Sequence, residues 1–512
     1  MKKLLSILVL LTMVFSLFAG CSGEDEPYEP TGDGLGAVDT PEENTEPLEQ
    51  ALTLIYYRDK TLNPLKSNDY TNRVIISLLY QGLFAVNRDY EPEPMLCKQY
   101  RISPDSRTYT FYPEKAKFSN GAVLTAQDVA ATLLAAKESQ IYKGRFFHIT
   151  DIAVTEDGGV EIKLDTPMEN LPQLLDIPII PETDLESDRP AGTGPYILDE
   201  SGDLSRLRRR SDNWSSYNSV ITASSITLLE AKSNNQIRDE FQFGDVDLVC
   251  ADPCSDYFAD YRCDYELWNC ENGMFIYLAC SADSDVFSND AIRTALTHAI
   301  DREFLTDEYY RGYASAVTLP ASPEFPYYNQ NLASRYTYDA EKFASAVRNQ
   351  LMMGEEVVLL VNKGDSIRVR VAHSIADMLS AAGLHVTVKE LAGSEYTYAI
   401  YTRDYDLYLG QTMLSPNMDL TPFFHTYGEL SYGGVNEVGA YALCLDALAN
   451  HGNYYSLYKY VMDKGLLCPV LFRSYAVYST RGLLTELEPA RDNVFFYSAG
   501  KNMEHALIRS ES

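Results

Sequence analysis

Tryptophan and histidine are scarce in this chain of 512 residues, with two of the first and seven of the second. His148, His298, His373, His385, His425, His451 and His505 form no close metal-spaced set, and no HExxH, GxxxxGK[ST] or GxSxG occurs. The zinc, phosphate-loop and nucleophile-elbow chemistries that need those spacings are therefore unsupported. Basic residues are outnumbered, 42 Lys and Arg against 73 Asp and Glu, for a net charge of −31. A surface that negative disfavours nucleic acid and anionic membranes as partners. Beyond the first 20 residues no apolar run approaches the ~20 needed to span a bilayer. Cys250, Cys254, Cys263, Cys270 and Cys280 cluster without the CxxC pairs of zinc ribbons, so a metal site is disfavoured. The cluster allows one or two disulfides in an oxidising compartment, or free thiols in a reducing one.

What the N-terminus does have is a secretory pattern. Lys2 and Lys3 precede an apolar stretch, and Phe18-Ala19-Gly20-Cys21 ends it. Basic start, apolar centre and small-residue end are the marks of a signal peptide, here residues 1–20. The ending resembles the lipobox of bacterial lipoproteins, with Phe18 in place of the usual Leu. It predicts acylation of Cys21 and anchoring at the outer face of the cell membrane. Residues 22–50 then hold ten Asp or Glu, four Pro and no Lys or Arg. Such a segment repels itself into an extended tether. The remaining 460 or so residues keep a charge of −23 and are long enough for two or three domains.

Along the folded part, Ala51–Tyr57 is rich in strand formers and "YTNRVIISLLYQG" reads as a helix ending near Gly82. Arg107–Pro113 alternates as a strand. Asn120-Gly121 marks a hairpin turn, and Thr125 with Asp128 forms a capping-box-like helix start. Strands return between Ile149 and Asp165, and Ala191–Glu200 is a glycine-punctuated loop running into another. Ser288 or Asn289 caps a helix carrying Ile292, Leu296, Ala299 and Ile300 on one face. Residues 355–413 alternate strand, helix, strand, helix and strand, with Gly383 stopping the first helix. That order predicts a parallel sheet covered by helices, whose ligands sit beyond the carboxyl ends of the strands, at Lys363 to Asp365 and after Leu409. "GDS" at Gly364–Ser366 resembles the nucleophile block of GDS esterases, which makes Ser366 a candidate extracellular esterase nucleophile. Its place directly after a strand and at the start of a helix is better explained by Asp365 or Ser366 acting as the N-cap. Tyrosine is abundant, 38 residues against 20 Phe; it suits half-buried faces and also clefts that close on polar ligands.

Several blocks in register resemble the family 5 extracellular solute-binding proteins of ABC importers, the group of oligopeptide-, dipeptide- and nickel-binding proteins. They are "TLNPLKSNDYTNRVIISLLYQGLFAVNRDYEPEPML"; "RTYTFYPEKAKFSNGAVLTAQDVAATL", with Phe118, Gly121, Leu124, Thr125, Ala126, Asp128 and Val129; "GTGPY" at Gly192–Tyr196; "AIRTALTHAIDREFL", with Arg293, Ala295, Leu296, Ala299, Ile300 and Asp301; and "YDAEKFASAV". The resemblance implies an α/β, bilobed fold of the periplasmic-binding-protein type. One lobe would comprise 51–68, 191–275 and 471–512, with an inserted subdomain at 69–190. The other would comprise 276–470, with hinge crossings near residues 275 and 470. It further implies a non-enzymatic monomer without cofactor, serving a permease and ATPase complex and capturing a peptide or small polar solute. A signalling-peptide receptor of the same fold is the alternative. Gly-Cys followed by a long acidic tether leans towards a Gram-positive envelope.

For the ligand, Met413, Leu414, Ser415 and Pro416 fall where peptide binders of the family carry Trp-x-x-Asp, whose Asp meets the peptide amine. The acid is missing, and Asp419 is the nearest substitute. Lys363 and Arg403 occupy positions where the family places cations for a ligand carboxylate. Lys363, Arg403, Met413, Leu414, Ser415 and Asp419 are thus the expected ligand residues.

Overall fold

The computed structural model describes residues 52–211, 221–255, 258–434, 437–484, 486–497 and 503–508; the signal segment, Cys21 and the acidic tether lie outside them. In chain order the strands are β1 (Leu52–Tyr56), β2 (Phe84–Val86), β3 (Pro92–Pro94), β4 (Cys97–Ile102), β5 (Thr108–Pro113), β6 (Ile149–Val154), β7 (Val160–Leu164), β8 (Tyr196–Asp199), β9 (Ser205–Arg209), β10 (Ser225–Glu230), β11 (Leu248–Ala251), β12 (Tyr265–Cys280), β13 (Ala314–Ala316), β14 (Glu356–Asn362), β15 (His385–Leu391), β16 (Leu407–Met413) and β17 (Cys468–Thr480). Eleven of them form one sheet, in the order β15-β14-β16-β12-β17-β11-β1-β10-β9-β8, with β13 added on β17.

The antiparallel pair β12 and β17 runs the length of that sheet. Tyr265–Glu271 of β12 faces Ser474–Thr480, and Phe275–Leu278 faces Cys468–Phe472, with a register shift between Glu271 and Phe275. Two strand sets hang from opposite halves of the pair. β11 joins β17 through Leu248 to Ala251 and continues to β1 and β10, which run parallel. β16 joins β12 through Met274 to Cys280 and continues to β14 and β15, again parallel. The molecule is bilobed because one bulged strand pair serves both sets. Each set has its own cores, one containing Leu54, Leu228 and Tyr475, another Ile276, Leu359 and Leu409.

The alternation predicted for 355–413 is present. Helices Ser366–Ala381 and Gly393–Thr402 connect β14, β15 and β16, and the parallel pairing follows from those crossovers. Asp365 accepts from the Arg368 N–H at 3.0 Å and so caps the first of them. The helix beginning at Asp290 is capped by Asn289, whose side chain accepts from Ala291 and Ile292. The first expected helix stops at Leu79, three residues short of Gly82. Tyr80 turns extended there, and Gly82 bridges to Pro178 instead.

The inserted segment carries a second sheet, β4-β5-β7-β6, covered by helix Ala126–Glu138. Thr125 and Asp128 form a full capping box, with Asp128 N donating to Thr125 Oγ1 at 3.2 Å and Thr125 N to Asp128 Oδ2 at 2.9 Å. Phe111, Leu133, Ile162 and Ile179 share one core with Leu54 and Tyr475, so the insertion is continuous with the first lobe. The Gly192–Tyr196 block explains part of that union: Gly194 N donates to Leu79 O at 2.9 Å. A Cβ on Gly192 would run into the same carbonyl oxygen.

Ten of the twelve largest fully buried side chains are tyrosines, which assigns much of the tyrosine excess to packing. Several of their hydroxyls reach backbone or acids: Tyr56 donates to Glu200 at 2.6 Å, Tyr196 to Ala223 O at 2.7 Å and Tyr454 to Asn417 O at 2.6 Å. Among the described residues the eight cysteines are free, and only Cys263 is not buried; the clustered cysteines are thiols, with Cys250 on β11, Cys270 and Cys280 on β12, and Cys254 and Cys263 between the two strands. No described helix is long and apolar enough to cross a membrane.

Replacing Gly192 by Ala should cost about 2 kcal/mol through the forced displacement of the helix end. Thermal unfolding of the variant should show a midpoint several degrees lower, and an unchanged midpoint would refute the close approach.

Candidate functional site

In an open α/β sheet, backbone groups and loops converge beyond the carboxyl ends of parallel strands. Here both lobes direct those ends at the middle of the β12–β17 pair. β11 ends at Ala251 and delivers Asp252; β14 ends at Asn362 and delivers Lys363 to Asp365; β16 ends at Met413. Arg473 stands in β17 between them, its side chain only 14 % exposed. Its Nη2 donates to Asp252 Oδ2 at 2.7 Å, and its Nη1 lies 3.4 Å from both Asp365 Oδ2 and Gln411 Oε1. One guanidinium therefore ties the first lobe to the second beside the register shift. A buried cation between two carboxylates is favourable only while both remain in place.

A concave space of about 320 Å³ adjoins this centre on the first lobe, lined by Asp69, Tyr70, Cys250, Asp252, Phe258 and Tyr261 among others. That lies at the lower end of the range of small-molecule sites, with aromatic walls and a few polar groups. Tyr70 Oη accepts from Asn272 Nδ2 at 3.0 Å, which fixes the wall to the bulge. Gly273, next in the chain, has φ +76°. A Cβ there would meet the guanidinium of Arg491, so the bulge has room for glycine only.

The expected ligand residues fall into three groups. Lys363 is exposed at the end of β14, and Met413, 42 % exposed, ends the neighbouring parallel strand β16 opposite Met274. These two share the converging end of the sheet. Leu414 and Ser415 continue from Met413 but turn away from solvent. Leu414 is buried and its N–H donates to Gly273 O at 3.0 Å, while Ser415 Oγ donates to Asn417 Oδ1 at 2.7 Å. Asp419 is 8 % exposed. It accepts from Thr421 N and Thr421 Oγ1, both at 2.8 Å, and lies 3.4 Å from His148 Nε2 of the inserted segment. Arg403 stands elsewhere. It caps helix Gly393–Thr402 ahead of β16 and pairs with Asp283 at 3.1 Å, at the end of the sheet away from the register shift. Ser366 occupies the first turn of the helix that Asp365 caps.

Around Asp419 the inserted segment clasps the second lobe. His148 Nε2 lies 2.9 Å from Thr421 Oγ1, and its Nδ1 lies 2.8 Å from Asp165 Oδ1. Burial pulls the His148 pKa down, but the bonds and charge of Asp419 and Asp165 outweigh it and hold it above the ordinary 6.5. Gln173 Nε2 donates to Pro416 O at 3.1 Å, and the His451 N–H donates to Glu169 Oε2 at 2.9 Å.

Sequence reasoning passed over Arg473, Asp252, Gln411, Glu271 and Asn272. A usable signal was present in two of the stretches. Arg473 is the one charge in "CPVLFRSYAVYST", and Glu271-Asn272-Gly273 breaks the apolar run of "YELWNCENGMFIYLAC". A charge or Asn-Gly inside a long strand marks a bulge or a functional position.

Known proteins resemble this arrangement. A protein-family model described as the bacterial extracellular solute-binding proteins, family 5 Middle, matches residues 91–433. Glutathione-binding protein GsiB of Shigella flexneri is 28 % identical over 283 residues, covering 52 % of this chain and 55 % of that protein. The chain thus spans about half the length of the curated relatives it matches. Among solved structures, HbpA2 from Haemophilus parasuis superposes with a TM-score of 0.70 at 17 % identity, covering 87 % of this chain and 98 % of that one. The oligopeptide-binding protein AppA from Bacillus subtilis, solved with a nonapeptide, gives 0.60 at 20 %, covering 88 % and 100 %. With strand ends of two lobes meeting at one bulged strand pair, and the family model spanning most of both, the chain belongs to the bacterial extracellular solute-binding proteins of family 5.

Proposed function

We propose that this protein captures peptides, or a polar solute of peptide size, between its lobes and delivers them to the permease of an ABC importer. The carrying observation is the contact of Arg473 with Asp252 of one lobe and Asp365 of the other, beside a concave space of about 320 Å³ on the first lobe. An ion pair completed only when both strand sets approach is a means of stabilising the closed state, and ligand shifts that population. In this reading 51–68, 191–275 and 471–512 form one lobe with 69–190 inserted, and 276–470 form the other. Bending occurs at Glu271–Phe275 and at Phe472–Ser474. Lys363 and Met413 face the solute from the second lobe, and Leu414 and Ser415 shape the turn behind them. Acylated Cys21 and the acidic tether hold the receptor beside its transporter, which raises its local concentration there. Glutathione in the name of the GsiB relatives fits the proposed solute class.

Native mass spectrometry of protein purified without denaturation should show a bound adduct lost on mild unfolding, and its fragmentation should give a peptide or similar polar molecule. Arg473→Met should leave the fold intact and weaken binding of that solute by on the order of tenfold or more, since Asp252 and Asp365 then face each other unpaired. Isothermal titration would decide this, and unchanged affinity would remove Arg473 from the closing device.

The His148 clasp adds a pH term of definite sign. Because its folded pKa is raised, its contribution is complete below about 6.5 and is lost as pH rises through the folded value. Solute affinity should therefore fall from pH about 6 to pH about 8 in the wild type and change less in His148→Gln. A parallel pH profile in both proteins would exclude the clasp.

A further inference from the structure

Where the inserted segment meets helix Tyr70–Leu79 and the segment after β17, charged side chains surround a cavity of about 70 Å³. Arg145 of the insertion is 7 % exposed. Its Nη1 pairs with Asp176 Oδ1, and its Nη2 lies 2.9 Å from Asp492 Oδ2. Arg491 Nε lies 3.4 Å from that same oxygen. Two guanidiniums thus share two carboxylates. Asp176 and Asp492 line the cavity, and so does a third guanidinium, that of Arg73. Its carbon stands 4.9 Å from the ring centre of Tyr70 and 5.7 Å from that of Tyr475. Among the described residues it has neither a hydrogen bond nor an ion pair. Tyr142, 8 % exposed, and Ser67 stand on the same wall, and their hydroxyls have no hydrogen-bond partner among the described residues either.

Counting the charged residues that line the cavity and those paired with them, three cations face two anions. The surplus positive charge is that of Arg73. A charge removed from water is costly unless paired, and a ring face returns only part of the loss. Arg145 and Arg491 neutralise the two carboxylates that would otherwise repel an anion. The unmet groups are a guanidinium and two hydroxyls, all donors, and their complement is an acceptor carrying one negative charge. Volume narrows the class. One water needs about 10–15 Å³ of such space, so 70 Å³ takes a monatomic ion with a few waters and excludes a large organic anion. Asn493 Oδ1, on the same wall and without a partner, calls for a donor, which a water beside the ion supplies.

We propose that this cavity holds a monatomic inorganic anion such as chloride, paired with the Arg73 guanidinium and hydrogen-bonded by the Tyr142 and Ser67 hydroxyls. The ion joins three separate parts of the chain: helix Tyr70–Leu79, the insertion and the segment after β17. It also fixes Arg73 against Tyr70, which walls the space of about 320 Å³ on the first lobe. The anion is a resident of the first lobe and is independent of the solute, whatever its class.

The test is thermal unfolding of the full chain in sodium chloride, sodium bromide and sodium gluconate, titrated at constant ionic strength. A ligand that binds only the folded state raises the midpoint until the site is full. Chloride and bromide should therefore raise it saturably, by about 2 °C, relative to gluconate, which is too large for the cavity. Arg73→Met keeps an apolar stem and removes the charge, and in it the three salts should give one midpoint. Equal midpoints in the wild type would overturn the inference, as would a chloride effect undiminished in Arg73→Met. Should that variant fail to fold, crystals of the wild type grown in sodium bromide decide. An anomalous bromide peak beside Arg73 is expected there, and a cavity filled by water alone would overturn the site.

Discussion

Everything in this molecule is referred to the antiparallel pairing of β12 with β17. A sheet divided between two lobes must hand its hydrogen bonds from one strand set to the other without leaving backbone groups unpaired. The pair does so by continuing through both lobes, with register shifts between Glu271 and Phe275 and between Ile276 and Tyr277. Glu271 and Asn272 at the first of these shifts are polar, whereas Met274, Phe275 and Ile276 that follow are apolar. The place where the backbone is least regular is therefore also where buried charge accumulates: Arg473 on one strand, Glu271 on the other. Arg473 is held by Asp252 of one lobe and Asp365 of the other, and Glu271 accepts from Ser322 across the pair. Backbone pairing and the buried charges that join the two strand sets thus meet at one stretch of about four residues, and a change to either is felt by the other.

Much of the fold was readable because local and tertiary signals agreed. Thr125 and Asp128 announce a helix start from sequence alone, and the capping box forms. The alternating pattern of 355–413 admits one arrangement, a parallel sheet under helices, and that sheet is present. The Gly192–Tyr196 block could be recognised but not explained until Gly192 was seen against the Leu79 carbonyl. Its cause is a contact between residues more than a hundred positions apart.

Of the proposed site, the sequence pointed to Lys363 and Met413 and passed over Arg473 and Asp252. Lys363 and Met413 were reached by asking where parallel strands finish, a question that sequence answers. Arg403 lies apart from Lys363 and Met413 for a physical reason: it precedes β16, and residues before a parallel strand lie at the opposite edge from those after it, where Asp283 pairs with the guanidinium. Asp419 was reached by looking for an acid near Ser415. Whether an acid is available depends on its neighbours in space, and Thr421 and His148 come from two different parts of the structure. Arg473 and Glu271 were hidden because an isolated charge in a strand carries no partner in its own neighbourhood. Asp252, Asp365 and Ser322 are all more than fifty residues away from the charges they serve.

The pairing of Ile276 with Leu471 across β12 and β17 has an evolutionary consequence. The chain leaves the first strand set and returns to it at two positions that are neighbours in space, so everything between them is one uninterrupted cassette. A recombination event joining at those two points would exchange the whole second strand set without cutting a helix or stranding an unpaired edge. The half bearing β14, β15 and β16 could then be inherited as a block, while the half bearing β1, β10 and β11 diverged at its own rate.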